Sequence, residues 1–96
     1  MTRTKAKSML GKMLADIQDK NEVLFFLGQV LTNAEINDVI DRVRIYQTLA
    51  CTEIPQRECA KKLNVSISKV TRGAANLHNH KAKAYWQSKF EGHVAL

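Results

Sequence analysis

Wound as a helix, residues 23–31 leave no polar face. Val23, Leu24, Phe25, Phe26, Leu27, Val30 and Leu31 project in every direction around the axis. A helix that is apolar all round must be covered all round. A chain of 96 residues has little to cover it with, because folding at this length removes only about 60–65% of the unfolded surface. An intertwined dimer meets the need, each copy closing over the other's helix. The competing arrangement is a central helix in a monomeric bundle.

The rest of the chain is also helical in pattern. Met9, Leu10, Met13, Leu14 and Ile17 keep one face of a first helix over roughly residues 4–19. Asn21 is placed to cap the apolar helix. Thr32-Asn33-Ala34-Glu35 has the form of a capping box, threonine first and glutamate three residues on. It opens a third helix whose apolar stripe is Ile36, Val39, Ile40, Val43, Tyr46, Leu49 and Ala50. Arg42 and Arg44 flank that stripe, where pattern alone makes them solvated or paired with Asp38 or Asp41. A last helix, about 80–92, carries Tyr85, Trp86 and Phe90 as packing residues among lysines. With four glycines and one proline the chain has few breakers. The expectation is an all-α fold of about six helices in a single domain. Residues 1–53 and 80–96 would supply the dimer core and N-terminal arm, and 54–79 a separate head.

Charge separates the head from the rest. Residues 1–53 carry seven basic and seven acidic side chains, residues 54–96 eight basic and two acidic, so the whole net charge of +6 lies in the second part. A one-sided excess with a pI near 9.6 is the electrostatic footprint of a polyanion binder. Its bland alternative is a solubilising face. Within this basic part, residues 56–77 read QRECAKKLNVSISKVTRGAANL. Pro55 suits the first turn of a helix ending at Leu63. Asn64 tolerates the left-handed backbone of a tight turn, and Ser66 can cap the next helix. Ala60 is small where the two helices cross, while Cys59, Leu63, Val65 and Val70 supply their core. The spacing is that of a helix-turn-helix. Gln56, Arg57, Lys61 and Lys62 on the first helix, with Ser66, Ser68, Lys69, Thr71 and Arg72 on the second, suit phosphates and base edges. The bland alternative is an ordinary helical hairpin.

From Leu31 to Leu77 the chain resembles the bacterial tryptophan repressor family. The resemblance lies in Leu31-Thr32 with Glu35, Arg42-Val43-Arg44-Ile45, Gln56-Arg57-Glu58, and Thr71-Arg72-Gly73 followed by Asn76-Leu77. It implies a dimer that binds free L-tryptophan, as co-repressor, in two symmetric pockets between core and heads. Arg72 would meet the ligand carboxylate and Arg42 would cover the indole. Gly73 would leave room for the ring, and Leu31 and Thr32 would come from the partner subunit. Asn76 stands where the family commonly has a serine near the ligand's amino group. On the operator side the resemblance puts Gln56, Arg57, Ile67, Ser68, Lys69, Thr71 and His78 against DNA. This chain departs from the family there by having Ala60, Ala74, Ala75 and His78.

Other chemistry finds little support. Cys51, Cys59, His78 and His80 match no common zinc spacing. There is no nucleophile triad, phosphate loop or paired-carboxylate pattern, so no enzyme is expected. No apolar run reaches the ~18 residues of a membrane span, and no signal-peptide core follows the basic start, which makes cytoplasmic the simplest placement. Arg3, Lys5 and Lys7 suit an arm over DNA and a solubilising tail equally. The expected function is a ligand-gated, sequence-specific repressor on a palindromic operator. Its rivals are a constitutive or otherwise-gated DNA binder of the same fold, and a helical dimer that grips a protein or RNA.

Overall fold

The computed structural model describes residues 1–91. Six helices follow one another: α1 Arg3–Ala15, α2 Lys20–Val30, α3 Asn33–Cys51, α4 Gln56–Leu63, α5 Ile67–Asn76 and α6 His80–Lys89. There is no strand among the described residues. Local chemistry explains most of the boundaries. The Thr32 hydroxyl accepts from the Glu35 amide at 3.1 Å while the Glu35 carboxylate accepts from the Thr32 amide at 2.8 Å, a complete capping box. Ser66 accepts from the Lys69 amide at 3.2 Å. Asn64 is the one non-glycine residue with positive φ, at 55°, among those described. It ends α4 and turns the chain into α5.

Three boundaries differ from expectation. α1 ends at Ala15, short of residue 19, because Asp19 caps α2 by accepting from the Asn21 amide at 3.1 Å. Asn21, expected as the cap, therefore lies inside α2. An aspartate there also places negative charge at the helix's positive end. Pro55 stands just before α4 in an extended conformation, so the helix begins one residue later than expected. α6 closes at Lys89; Gly92 and His93, which the sequence placed at or beyond its end, lie outside the described residues.

The chain divides into two compact units, Met1–Ile36 and a second beginning at Asn37. The first holds α1, α2 and the start of α3. No residue in it is buried; Ile17, Val23, Phe26, Leu27, Leu31 and Ile36 are half-buried, and Phe25 is 67% exposed.

The second unit has a closed core of Ile45, Cys59, Leu63 and Val70, with Leu49, Ile54, Ala60 and Val65 packed against it. This is the helix-turn-helix pair α4–α5 seated on α3. Ile45, which lies off the expected α3 stripe, is only 1% exposed, while Val39 and Ile40 on that stripe remain exposed. α3 thus has two apolar faces, and the head takes the one centred on Ile45. α6 lies against the C-terminal half of α3. Trp86 stacks on Tyr46 with centroids 4.9 Å apart, Phe90 stacks on Trp86 at 5.6 Å, and Gln87 donates to the Ala50 carbonyl at 2.8 Å. Trp86 and the capping residue Phe90 are half-buried packing residues as expected, whereas Tyr85, edge-on to Trp86, is exposed.

Candidate ligand cleft and nucleic-acid face

Between α3 and α5 runs a cleft of about 330 Å³, lined by Asp38, Arg42, Tyr46, Lys69, Arg72, Gly73 and Asn76. Small-molecule sites begin near this size, ~300 Å³. Helical spacing builds it. Asp38, Arg42 and Tyr46 are successive i,i+4 neighbours on α3, and Lys69, Arg72, Gly73 and Asn76 share one side of α5. Four residues chosen from sequence, Arg42, Arg72, Gly73 and Asn76, therefore meet in one concavity. Leu31 and Thr32 are not among its walls. Leu31 ends α2 half-buried, and the Thr32 hydroxyl is engaged in the capping box.

Each wall residue has a distinct environment. Arg42 and Arg72 make no ion pair among the described residues, which leaves two guanidiniums free to receive an anion. Arginine's planar fork suits a carboxylate, and its face suits an aromatic ring. Gly73 is buried, and a Cβ built on it would lie 2.6 Å from Ile45 Cγ2. Its need is thus for close packing of α5 on α3, with the cleft opening beside it. Asn76 donates its amide to the Tyr46 hydroxyl at 2.8 Å.

Two participants were missed. Tyr46 was assigned only to an apolar stripe, yet it brings a hydroxyl to the cleft. Asp38, with Asp41, holds Lys69: Nζ lies 3.2 Å from Asp38 and 3.1 Å from Asp41. Those carboxylates hold the lysine's pKa above its ordinary value, the Asp41 hydrogen bond contributing most. Lys69, expected only at DNA, is thus tied to α3. No local pattern connects residues some thirty positions apart, so neither contact had a sequence signal.

Away from the cleft, three of the residues expected at DNA, Gln56, Thr71 and His78, come together. Gln56, Thr71, Ala74, Ala75 and His78 line a shallow surface depression. Thr71 donates to the Gln56 side-chain oxygen at 3.0 Å, joining the two helices across it. Arg57, Ile67 and Ser68 are exposed on the same helix pair. Cys59 is buried, and burial pushes its thiol pKa up against the opposing pull of Lys62; Cys51 is exposed. No group of three or more metal-ligating side chains gathers among the described residues, and no described helix is long and apolar enough to cross a membrane.

Comparison with known proteins extends the resemblance beyond the span from Leu31 to Leu77. The family model for the Trp repressor protein matches residues 5–88. Proteins described as Trp operon repressor homologs in Xylella fastidiosa strains M23, Temecula1 and 9a5c are each 44% identical over 89 residues. The match covers 93% of this chain and 97% of theirs. No solved structure matches significantly. The match over residues 5–88 and the 44% identity over most of the chain show that the chain belongs to the Trp repressor family.

Proposed function

We propose that this protein is a repressor of the trp-operon type that binds a palindromic operator as a homodimer and is gated by L-tryptophan held in the α3–α5 cleft. The observation that carries the reading is that two unpaired arginines, Arg42 and Arg72, share one cleft with the reading helix itself. A ligand whose carboxylate meets Arg72 and whose ring lies against Arg42 would touch the element that enters DNA. Ligand contact and reading-helix placement then become one equilibrium, shifted only as far as the ligand prefers the DNA-competent arrangement. Leu31 and Thr32 would complete each pocket from the partner subunit.

Dimerisation is supported by the exposed apolar side chains of α1 and α2, among them Met9, Met13, Leu24, Phe25 and Val30. A contiguous apolar surface left by one chain marks an association site. Helix-turn-helix dimers, Trp repressors among them, set their reading helices about 34 Å apart, one turn of duplex. Gln56, Arg57, Ile67, Ser68, Thr71 and His78 would face the groove, whereas Lys69 is held by Asp38 and Asp41 in the cleft. The charge excess confined to residues 54–96 supports contact with the phosphates of a nucleic acid.

A second reading, the same fold answering another small molecule, is favoured by Asn76, whose amide is committed to Tyr46. A gel-shift series at fixed salt separates the two. Tryptophan should raise operator affinity at least tenfold in the wild type and leave Arg72→Ala unmoved. Unchanged wild-type affinity with and without tryptophan would remove the proposed gating.

A further inference from the structure

The helix α5 is joined to α3 at three levels. In its first turn, Lys69 Nζ lies 3.2 Å from Asp38 Oδ1 and 3.1 Å from Asp41 Oδ2. One turn on, Gly73 packs against Ile45, and at the far end Asn76 donates to the Tyr46 hydroxyl at 2.8 Å. The last two contacts join neutral groups, so salt leaves them alone. The first is ionic, and the Lys69 and Asp38 side chains are 45% and 57% exposed, so mobile ions reach it.

The charges of α3 explain why this contact runs between helices. Asp38 and Asp41 are i,i+3 neighbours, and like charges so placed on one helix repel. Arg42 stands four residues after Asp38 but makes no ion pair among the described residues. The cation between the two carboxylates comes instead from α5, 28 residues beyond Asp41. We propose that Lys69, Asp38 and Asp41 form an ionic clasp that seats the N-terminal end of the reading helix on α3 in the ligand-free protein, so that ionic strength sets how firmly that end is held. The clasp stands apart from the reading of the cleft as a tryptophan site, because it needs neither ligand nor operator. Opening it frees the end of α5 that follows the Asn64–Ser66 turn, where Ile67 and Ser68 are exposed. Gly73 and Asn76 keep the remainder on α3. In low salt the clasp holds that end whether or not the cleft is filled. In high salt its placement is left to the packing at Gly73 and to whatever fills the cleft.

Hydrogen exchange of the full-length protein, without ligand or DNA, reads the clasp directly, with the amides of α6 as internal reference. At low salt the double variant Asp38→Asn, Asp41→Asn should speed exchange in α5 about threefold relative to α6, the scale of a partly exposed ion pair. Lys69→Met should do the same. Combining all three changes should add nothing, since removing either side already opens the one clasp. At about 1 M salt, where the screening length falls to ~3 Å, wild-type α5 should exchange as fast as in the variants. Acceleration shared equally by α5 and α6 would be a general loss of stability and overturns the clasp. Additive effects of the two sides, or wild-type exchange in α5 that salt leaves unmoved, overturn it as well.

Discussion

The two units of the chain solve the problem of burial differently. From Asn37 on, the head closes its own core, with Ile45 at 1% exposure and Cys59 and Val70 at none. Up to Ile36 nothing is buried, although that stretch holds the most apolar helix of the molecule. One chain therefore closes a core in its helix-turn-helix unit and leaves its N-terminal unit without one. The head closes its core within a single copy, whereas the stretch up to Ile36 leaves apolar side chains such as Leu24, Phe25 and Val30 exposed.

The largest effect expected from this contrast comes from a charge placed on the N-terminal unit. On a truly solvent-facing surface, Phe25→Asp would shift stability by no more than about 0.5 kcal/mol. In a dimer core it should abolish association, and light scattering should report 10.9 kDa where the wild type gives twice that mass. Within the head, Ile45→Ala should cost about 2–5 kcal/mol in denaturant unfolding, as large-to-small core changes do. An unchanged midpoint would mean that the head draws its core from elsewhere.

Smaller changes sharpen the contrast further. Gly73→Ala drives a methyl to within 2.6 Å of Ile45 Cγ2, so overpacking of about 1–3 kcal/mol is expected, with loss of the ligand site beside it. The double variant Gly73→Ala, Ile45→Ala deletes the clashing Cγ2 itself, so it should cost less than the sum of the two single changes. Asn64→Ala should cost about 1 kcal/mol, since alanine is strained where φ is 55°; Asn64→Gly should be nearly neutral. Smallest of all is a chemical asymmetry between the cysteines. A thiol reagent at neutral pH should label exposed Cys51 and spare Cys59, whose raised pKa and burial both suppress the thiolate, until the head unfolds.

What could be foreseen divides along the range of the interactions. Thr32 with Glu35, Asn64 and Ser66 act within three residues of themselves, so their roles in capping and turning were legible in the sequence. The competition between Asp19 and Asn21 for the α2 cap was also local, and it was decided for the carboxylate. Ile45 escaped because a single stripe was assigned to α3, while the helix serves two neighbours. The meeting of Arg42, Arg72, Gly73 and Asn76 came from the resemblance, not from periodicity. Lys69 on Asp38 and Asp41, and Tyr46 on Asn76, join helices about thirty residues apart, and only folding brings them together.

Titration of L-tryptophan into the ligand-free protein, repeated on Arg72→Ala, tests the central claim most directly. Heat that saturates at one ligand per chain and vanishes in the variant is the predicted result. It would account for Arg72 standing unpaired in the cleft beside a glycine that packing requires. No heat at millimolar tryptophan would contradict the gating, and would leave a DNA-binding dimer whose cleft answers to a different molecule.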